Sequence, residues 1–254
     1  MWSEVDGGRG ANQIASCVAK HLYSIGLPTK HVTLYSDTCG GQNKNSHMVA
    51  MFMSVIRYHN ILEVIDHKFL LAGHTHMECD SDHALIEKKK KTSKTIIYHP
   101  HDWMQLVRQT GKKNPFIVTP MMHSDFLNYS ELLKNQLQMK KKNSNGEKFV
   151  WKNVKWLRFK KTELGILYYK ETLDIDAPFK SLSLCSKGRS HYQLTPPLCY
   201  NRPVPIAEKK KKDLLDLLPM IPNVFHDFYK NLPTDATLKE TYPNNETDTE
   251  EENS

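Results

Sequence analysis

The sequence predicts an α/β fold in which helices flank a mixed sheet, and the order of its elements carries that prediction. In the first half, short apolar runs typical of buried strands alternate with longer stretches of helical spacing. Such alternation indicates a mainly parallel layer. The second half contains segments rich in aromatic and β-branched residues, which predict a small β meander.

Helical spacing and glycine breaks define the elements of the first half. Ile14, Val18 and Leu22 recur at helical intervals, and Gly26 with Pro28 ends that helix. The predicted elements are a helix from Ala11, a strand at 31–36, a helix at 46–59, a strand at 67–72 and a helix at 81–91.

The second half is divided by a lysine-rich breaker. Before it we predict helices at 102–109 and 125–139 and a strand at 116–119; after it, meander strands within 149–159, 164–169 and 179–184. The predicted regions are a core with a helical extension at 1–139, a linker at 140–148, a β-rich C-terminal region at 149–232 and an acidic disordered tail at 233–254.

Charge is unevenly distributed along the chain. Seven acids and one lysine give residues 235–254 a charge of −6, which leaves +13 for residues 1–234 when the total is +7. A body that basic suits a polyanionic partner, and nucleic acid is the commonest one. The alternative is that the lysines only keep the surface soluble.

Cysteine usage and hydropathy bear on the compartment. The five cysteines form no Cys-x-x-Cys pair, which argues against a zinc ribbon and favours a reducing compartment. No apolar run approaches the roughly 18 residues of a membrane helix. We therefore expect an intracellular protein without a membrane partner. The lysine runs at 88–91 and 209–212 could act as nuclear-import patches, which would give a nuclear location, or could simply form solvated helix faces.

Acidic residues at element boundaries form a candidate metal site. Asp37 ends the strand at 31–36, and Asp80 and Asp82 open the third helix, with His74 just before it. Carboxylates at strand ends could hold Mg²⁺ or Mn²⁺ for two-metal phosphodiester chemistry, with His74 handling a proton. We favour Asp82 as the direct ligand and expect Asp80 to cap the helix as well.

Other interpretations of these residues stay open. Asp37 could instead form an Asx turn. A zinc site is conceivable from His74, His76, Cys79 and His83. Gly73-His74-Thr75-His76 also resembles the last motif of calcineurin-like metallophosphoesterases, although the earlier motifs of that class are absent.

The order of these motifs resembles the ribonuclease H-like fold. Gly73-His74 followed by Asp82-His83-Ala84-Leu85 is similar to the end of that fold, where a Gly-His precedes the last catalytic aspartate. Asp37 would then be its second aspartate. Residue 13 lies where the first helix would contribute a catalytic glutamate.

More closely, the chain resembles a family of domains of unknown function that is abundant in insect and cnidarian genomes and tied to mobile elements. The matching blocks are Arg9–Cys17, Ser36–Asn43 and Gly73–Lys88, of which Ser-Asp-x-Cys-Gly-Gly-Gln-Asn is the most specific. The resemblance implies a nuclease or transposase-type domain acting on nucleic acid.

Two departures from the pattern predict an inactive chain. Gln13 replaces the carboxylate, and a neutral amide binds Mg²⁺ less well. Only about ten residues precede the first helix, so we expect an N-terminally truncated core that lacks its first strands. The non-enzymatic alternative is nucleic-acid binding through the basic body and the aromatic residues Trp151, Trp156, Tyr168 and Tyr169, which could equally form the meander core.

Overall fold

A five-stranded mixed sheet organises the computed structural model, which describes residues 1–71, 77–111, 115–185 and 193–238. Its strand order follows the chain, with β1 parallel to β2 and the later neighbours antiparallel. A second, two-stranded parallel sheet joins β6 and β7. The strands are β1 (His31–Ser36), β2 (Val64–Phe69), β3 (Trp156–Lys160), β4 (Ile166–Lys170), β5 (Lys180–Ser183), β6 (Ile206–Ala207) and β7 (Thr234–Asp235).

Seven α-helices lie within the described residues. They are α1 (Ala11–Tyr23), α2 (Ser46–Tyr58), α3 (Glu78–Thr92), α4 (Pro100–Arg108), α5 (Tyr129–Asn135), α6 (Glu208–Asp216) and α7 (His226–Lys230). Helix α2 is central, because it contacts α1, α5 and the strands β2 and β3. Every residue from Met48 to Ile56 is buried, and the Asn45 side chain caps the helix by accepting from the Met48 N–H.

The hydrophobic core lies between α2 and the sheet. Side chains alternate along a strand, so Leu157 and Phe159 of β3 face the core while their neighbours face away. Phe52 of α2 packs against Phe159 with ring centroids 5.0 Å apart. The parallel pairing of β1 with β2 around helix α2, which the alternation of elements predicts, is confirmed.

Several element boundaries differ from the prediction. The second strand lies at 64–69 rather than 67–72, because Asp66 and His67 are buried polar residues whose side chains find partners. Residues 116–119 form no strand, and the helix predicted at 125–139 is shortened to α5. The meander strands β3 to β5 extend the sheet of β1 and β2 rather than standing apart from it.

The predicted linker and tail are partly ordered. Within 140–148, Lys142 and Lys148 form a β-bridge around a turn, and the Asn143 side chain is buried and donates to the Tyr169 hydroxyl. In the tail, β7 pairs with β6, so the predicted disorder does not begin at 233. Residues 239–254 lie outside the described residues.

Candidate functional site

The Asp37 carboxylate closes the loop between β1 and α2. Its Oδ1 accepts hydrogen bonds from the Cys39 N–H at 3.0 Å and from the Asn43 side chain at 2.7 Å. The Cys39 carbonyl in turn accepts from the N–H groups of Gln42, Asn43 and Lys44. The first bond is the Asx-turn interaction, so the Ser36–Asn43 block around Asp37 has a structural role in this loop.

Lys44 follows the Ser36–Asn43 block and is buried, with 9% of its surface exposed. Its Nζ donates to the Lys152 carbonyl at 3.3 Å and lies 5.2 Å from the centroid of the Phe69 ring. Burial, with a smaller contribution from Lys155, lowers the pKa of Lys44 to about 8. No sequence pattern pointed to this residue, because burial of a single lysine leaves no periodic signal.

The Gln13 side chain forms hydrogen bonds at the start of α1. Its Oε1 accepts from the Gly10 N–H at 3.1 Å, and its Nε2 donates to the Tyr200 hydroxyl at 2.7 Å. The Gly8 N–H also donates to that hydroxyl. Gln13 therefore caps the helix in the manner of a capping box and ties it to the 193–205 segment.

Two other residues of the same family block hold the loop before α5. The Asn12 side chain accepts from the Tyr129 N–H, and the Ser16 hydroxyl accepts from the Leu127 N–H. Asn12 also donates to Ser130, whose hydroxyl lies 3.0 Å from His47 Nε2. The Arg9–Cys17 block thus clamps α1 to α5.

The predicted metal ligands are not gathered into one site within the described residues. Asp80 lies at the third position of α3 rather than at the predicted N-cap, which is Met77, and its Oδ2 accepts from the Met77 N–H at 2.9 Å. Asp82 lies two residues further along α3, about half a turn away, on a helix without buried residues. No three His, Cys, Asp or Glu side chains in the described ranges are grouped so that they could hold a metal ion. His74, the remaining predicted site residue, lies outside the described residues.

A half-buried serine and a buried histidine form a pair next to Asp37 on the core side of the sheet. His67 is 2% exposed, and its Nε2 lies 2.8 Å from Ser36 Oγ, which donates to the Asp37 carbonyl. Burial lowers the pKa of His67 to about 4, so the ring is neutral at pH 7. Ser36 therefore receives a hydrogen bond from His67 and gives its own proton to the backbone.

The opposite face of the sheet carries alternating rings and cations; we call it the outer face. Register places Tyr35, Lys68, Trp156 and Lys170 side by side on four neighbouring strands. The Lys68 Nζ lies 3.8 Å from the Trp156 centroid and 5.7 Å from that of Tyr35. The Lys170 Nζ lies 4.7 Å from the Trp156 centroid on the other side. These are cation–π distances.

The solvent exposure of these four side chains, which form a row across the strands, varies strongly from one end to the other. Tyr35 is 56% exposed, whereas Trp156 is 3% and Lys170 is 2% exposed. Phe179, which follows the loop after β4, covers the far end and lies with its ring centroid 5.3 Å from that of Trp156. The accessible part of the row is therefore the Tyr35 end, next to the half-buried Lys68.

The neighbouring row on the outer face is built around a buried acid. Asp66 is 1% exposed and accepts a bidentate pair of hydrogen bonds from Arg158 at 2.7 and 2.8 Å. His31 Nε2 lies 2.8 Å from the same carboxylate. Burial favours the neutral acid, but the hydrogen bonds from Arg158 and His31 outweigh it and lower the pKa of Asp66.

The four aromatic residues singled out from the sequence divide between two environments. Trp156 and Tyr168 lie on the outer face, whereas Tyr169 is buried in the core. Trp151 packs edge-on against Phe149. Only long-range register separates these cases, since Tyr168 and Tyr169 are adjacent in sequence.

A family model described as a domain of unknown function, DUF7869, matches residues 8–170. The chain belongs to this family, whose matched segment includes the Asp37 loop and the outer-face residues of β1 to β4. No curated protein and no solved structure matches the chain. Among the described residues, no helix is long and apolar enough to cross a membrane.

Proposed function

We propose that this protein binds single-stranded nucleic acid through the outer face of its sheet. The observation that carries the proposal is Lys68, whose ammonium is held between the rings of Trp156 and the half-exposed Tyr35. An exposed ring offers a stacking surface to any base, and a neighbouring cation meets the phosphate. Single strands are favoured because only unpaired bases expose their faces for stacking.

The charge balance of the outer face supports an anionic ligand. Arg158 is paired with Asp66, and Lys160 is paired with Glu163 at 2.9 Å. Lys68 has no ion-pair partner within the described residues. An ammonium already fixed by two rings loses little conformational freedom when it meets a phosphate, which favours binding.

The test is fluorescence anisotropy with labelled single-stranded DNA and RNA at low salt. We expect Tyr35→Ala to weaken binding about 5- to 150-fold, because loss of one stacked base costs about 1–3 kcal/mol. Lys68→Gln should weaken binding and reduce the slope of log K against log salt by about 0.7, the value for one phosphate contact on a single strand.

Matched controls come from the helical side of the molecule. Tyr23→Ala removes an exposed tyrosine of α1, and Lys134→Gln removes an exposed lysine of α5. Absence of binding at low salt would refute the proposal. Equal losses in the outer-face variants and the controls would show that binding is spread over the basic body instead.

Two-metal phosphodiester chemistry is a second proposal, supported by the position of Asp37 at the carboxyl end of a parallel strand. It rests on the resemblance to the ribonuclease H-like fold, as does the Mg²⁺ or Mn²⁺ cofactor. The mobile-element origin rests on the resemblance to the family of domains of unknown function, and the nuclear location rests on the two lysine runs. We expect little or no activity, because Asp37 Oδ1 is engaged in the loop and Gln13 caps α1. Metal-dependent cleavage that is abolished by Asp37→Asn would overturn that expectation.

A further inference from the structure

Strand β1 is an edge of the large sheet, and half of its backbone groups face away from its neighbour. The Lys30 carbonyl accepts from the Val64 N–H, and the Ser36 carbonyl accepts from the Leu70 N–H. Because successive residues of a strand point their backbone groups to opposite sides, the even-numbered residues bond to β2. The N–H and C=O groups of His31, Thr33 and Tyr35 therefore face outward, and they form no hydrogen bond within the described parts of the chain.

The sequence of β1 itself carries none of the residues that normally prevent strand pairing. Residues 31–36 read His-Val-Thr-Leu-Tyr-Ser, without proline, glycine, lysine or an acid. Thr33 and Tyr35 are exposed. The strand is also rich in β-branched and aromatic residues, which favour a further strand beside it.

We propose that a second copy of this chain pairs with β1, antiparallel and centred on Thr33. In that register Thr33 faces Thr33 of the second copy, and His31 faces Tyr35 of the second copy at both ends. The outward groups are symmetric about Thr33, so each hydrogen-bonded pair is satisfied in both directions. Two five-stranded sheets then become one continuous ten-stranded sheet.

The side chains of β1 are also compatible with a two-fold axis that passes through Thr33 and relates the two copies. Thr–Thr pairs and aromatic pairs stabilise antiparallel neighbours, and no like charges meet within 31–36. Val32 and Leu34, both half-buried, meet each other across the axis and continue the apolar side.

The decisive experiment is sedimentation velocity of the purified chain, without nucleic acid, over roughly 5–500 µM. The short ladder predicts a weak, reversible dimer, since an interface of one strand pair is at the small end of the observed range. Thr33→Pro removes the central outward donor, which the fold itself does not use, and should abolish the dimer. Circular dichroism verifies that this variant is folded.

A charge-swap pair tests the register and does not depend on the proline variant. Thr33→Lys and Thr33→Asp should each dimerise at least about tenfold more weakly, because like charges then face each other. Mixing the two variants should restore dimers. Thr162→Lys, on the exposed turn after β3, is the control and should dimerise normally. A monomer at all concentrations, or a dimer unaffected by Thr33→Lys, overturns the proposal.

Discussion

Protonation of His67 is expected to control the acid stability of this protein. The imidazole is enclosed in the core, 4.4 Å from the Phe69 centroid and 5.4 Å from that of Phe52. Its Nε2 lies 2.8 Å from Ser36 Oγ, and its buried Nδ1 has no hydrogen-bond partner within the described residues. A charged ring in this place would be desolvated without an acid beside it.

The sign and size of the change in stability with pH follow from the difference between the pKa of His67 in the folded and unfolded chain. Burial lowers the pKa of His67 from 6.5 to about 4 in the folded chain. Below pH 6.5 the unfolded state therefore binds more protons, and stability is lost as the pH falls toward 4. Two and a half pKa units correspond to roughly 3.4 kcal/mol in total, of which about 2 kcal/mol is lost by pH 5.

Urea denaturation at several pH values between 7.5 and 4.5 measures this loss. His67→Gln cannot be protonated, yet its amide can still donate to Ser36 Oγ, so we expect a flatter dependence of the unfolding free energy on pH. The glutamine fills the site less well, and for that reason the slopes are compared rather than the absolute stabilities. His21→Gln is the matched control, since the exposed His21 side chain loses little solvation on folding.

Two results would refute this account. One is a wild-type unfolding free energy that stays constant between pH 7.5 and 5. The other is an equal slope in wild type and His67→Gln, which would assign the acid sensitivity to other histidines. His47 and His99 are the alternatives, because burial lowers the pKa of each.

Three further predictions concern stability. Arg158→Met leaves the Asp66 carboxylate buried without its main partner and should lower the free energy of unfolding, measured in urea, by roughly 3–5 kcal/mol. Adding Asp66→Leu to the same chain should restore much of that loss. A double variant no more stable than Arg158→Met would contradict this prediction. Gly7→Ala puts a Cβ 2.7 Å from the Phe126 ring and should lower the free energy of unfolding by about 1–3 kcal/mol. Phe126→Leu should relieve the clash and recover stability. An unchanged melting temperature in Gly7→Ala would count against the clash. Gln13→Leu removes a helix cap worth about 1 kcal/mol of stability and should lower amide-exchange protection in the first turn of α1. Equal protection in the wild type and the variant would argue against the cap.

Local spacing was sufficient for most of the first half of the fold. The apolar periodicity of α1 and α2 and the run at 31–36 predicted these elements closely, because each buries one face continuously. The second strand was displaced by three residues since a buried acid and a buried histidine interrupt its apolar character. Their partners, Arg158 and Ser36, are distant in sequence and leave no local pattern.

The candidate site was less accessible to sequence reasoning. Asp37 was predicted at a strand end and is found there, but its bonds to Cys39 and Asn43 emerge only from the folded loop. The role of Gln13 depends on a tyrosine 187 residues away. Spacing alone therefore distinguishes neither a ligand from a turn residue nor a catalytic position from a cap.

By itself, the sequence determined the α/β class, the family and the parallel pairing of β1 with β2. Short-range periodicity is sufficient for the fold class because it specifies which faces of each element are buried. Only the tertiary structure decided that the meander extends the same sheet and that Lys68 lies between Tyr35 and Trp156. Strand register fixes those neighbours, and register depends on how the whole sheet buries one side against α2. That is a cooperative property of distant segments.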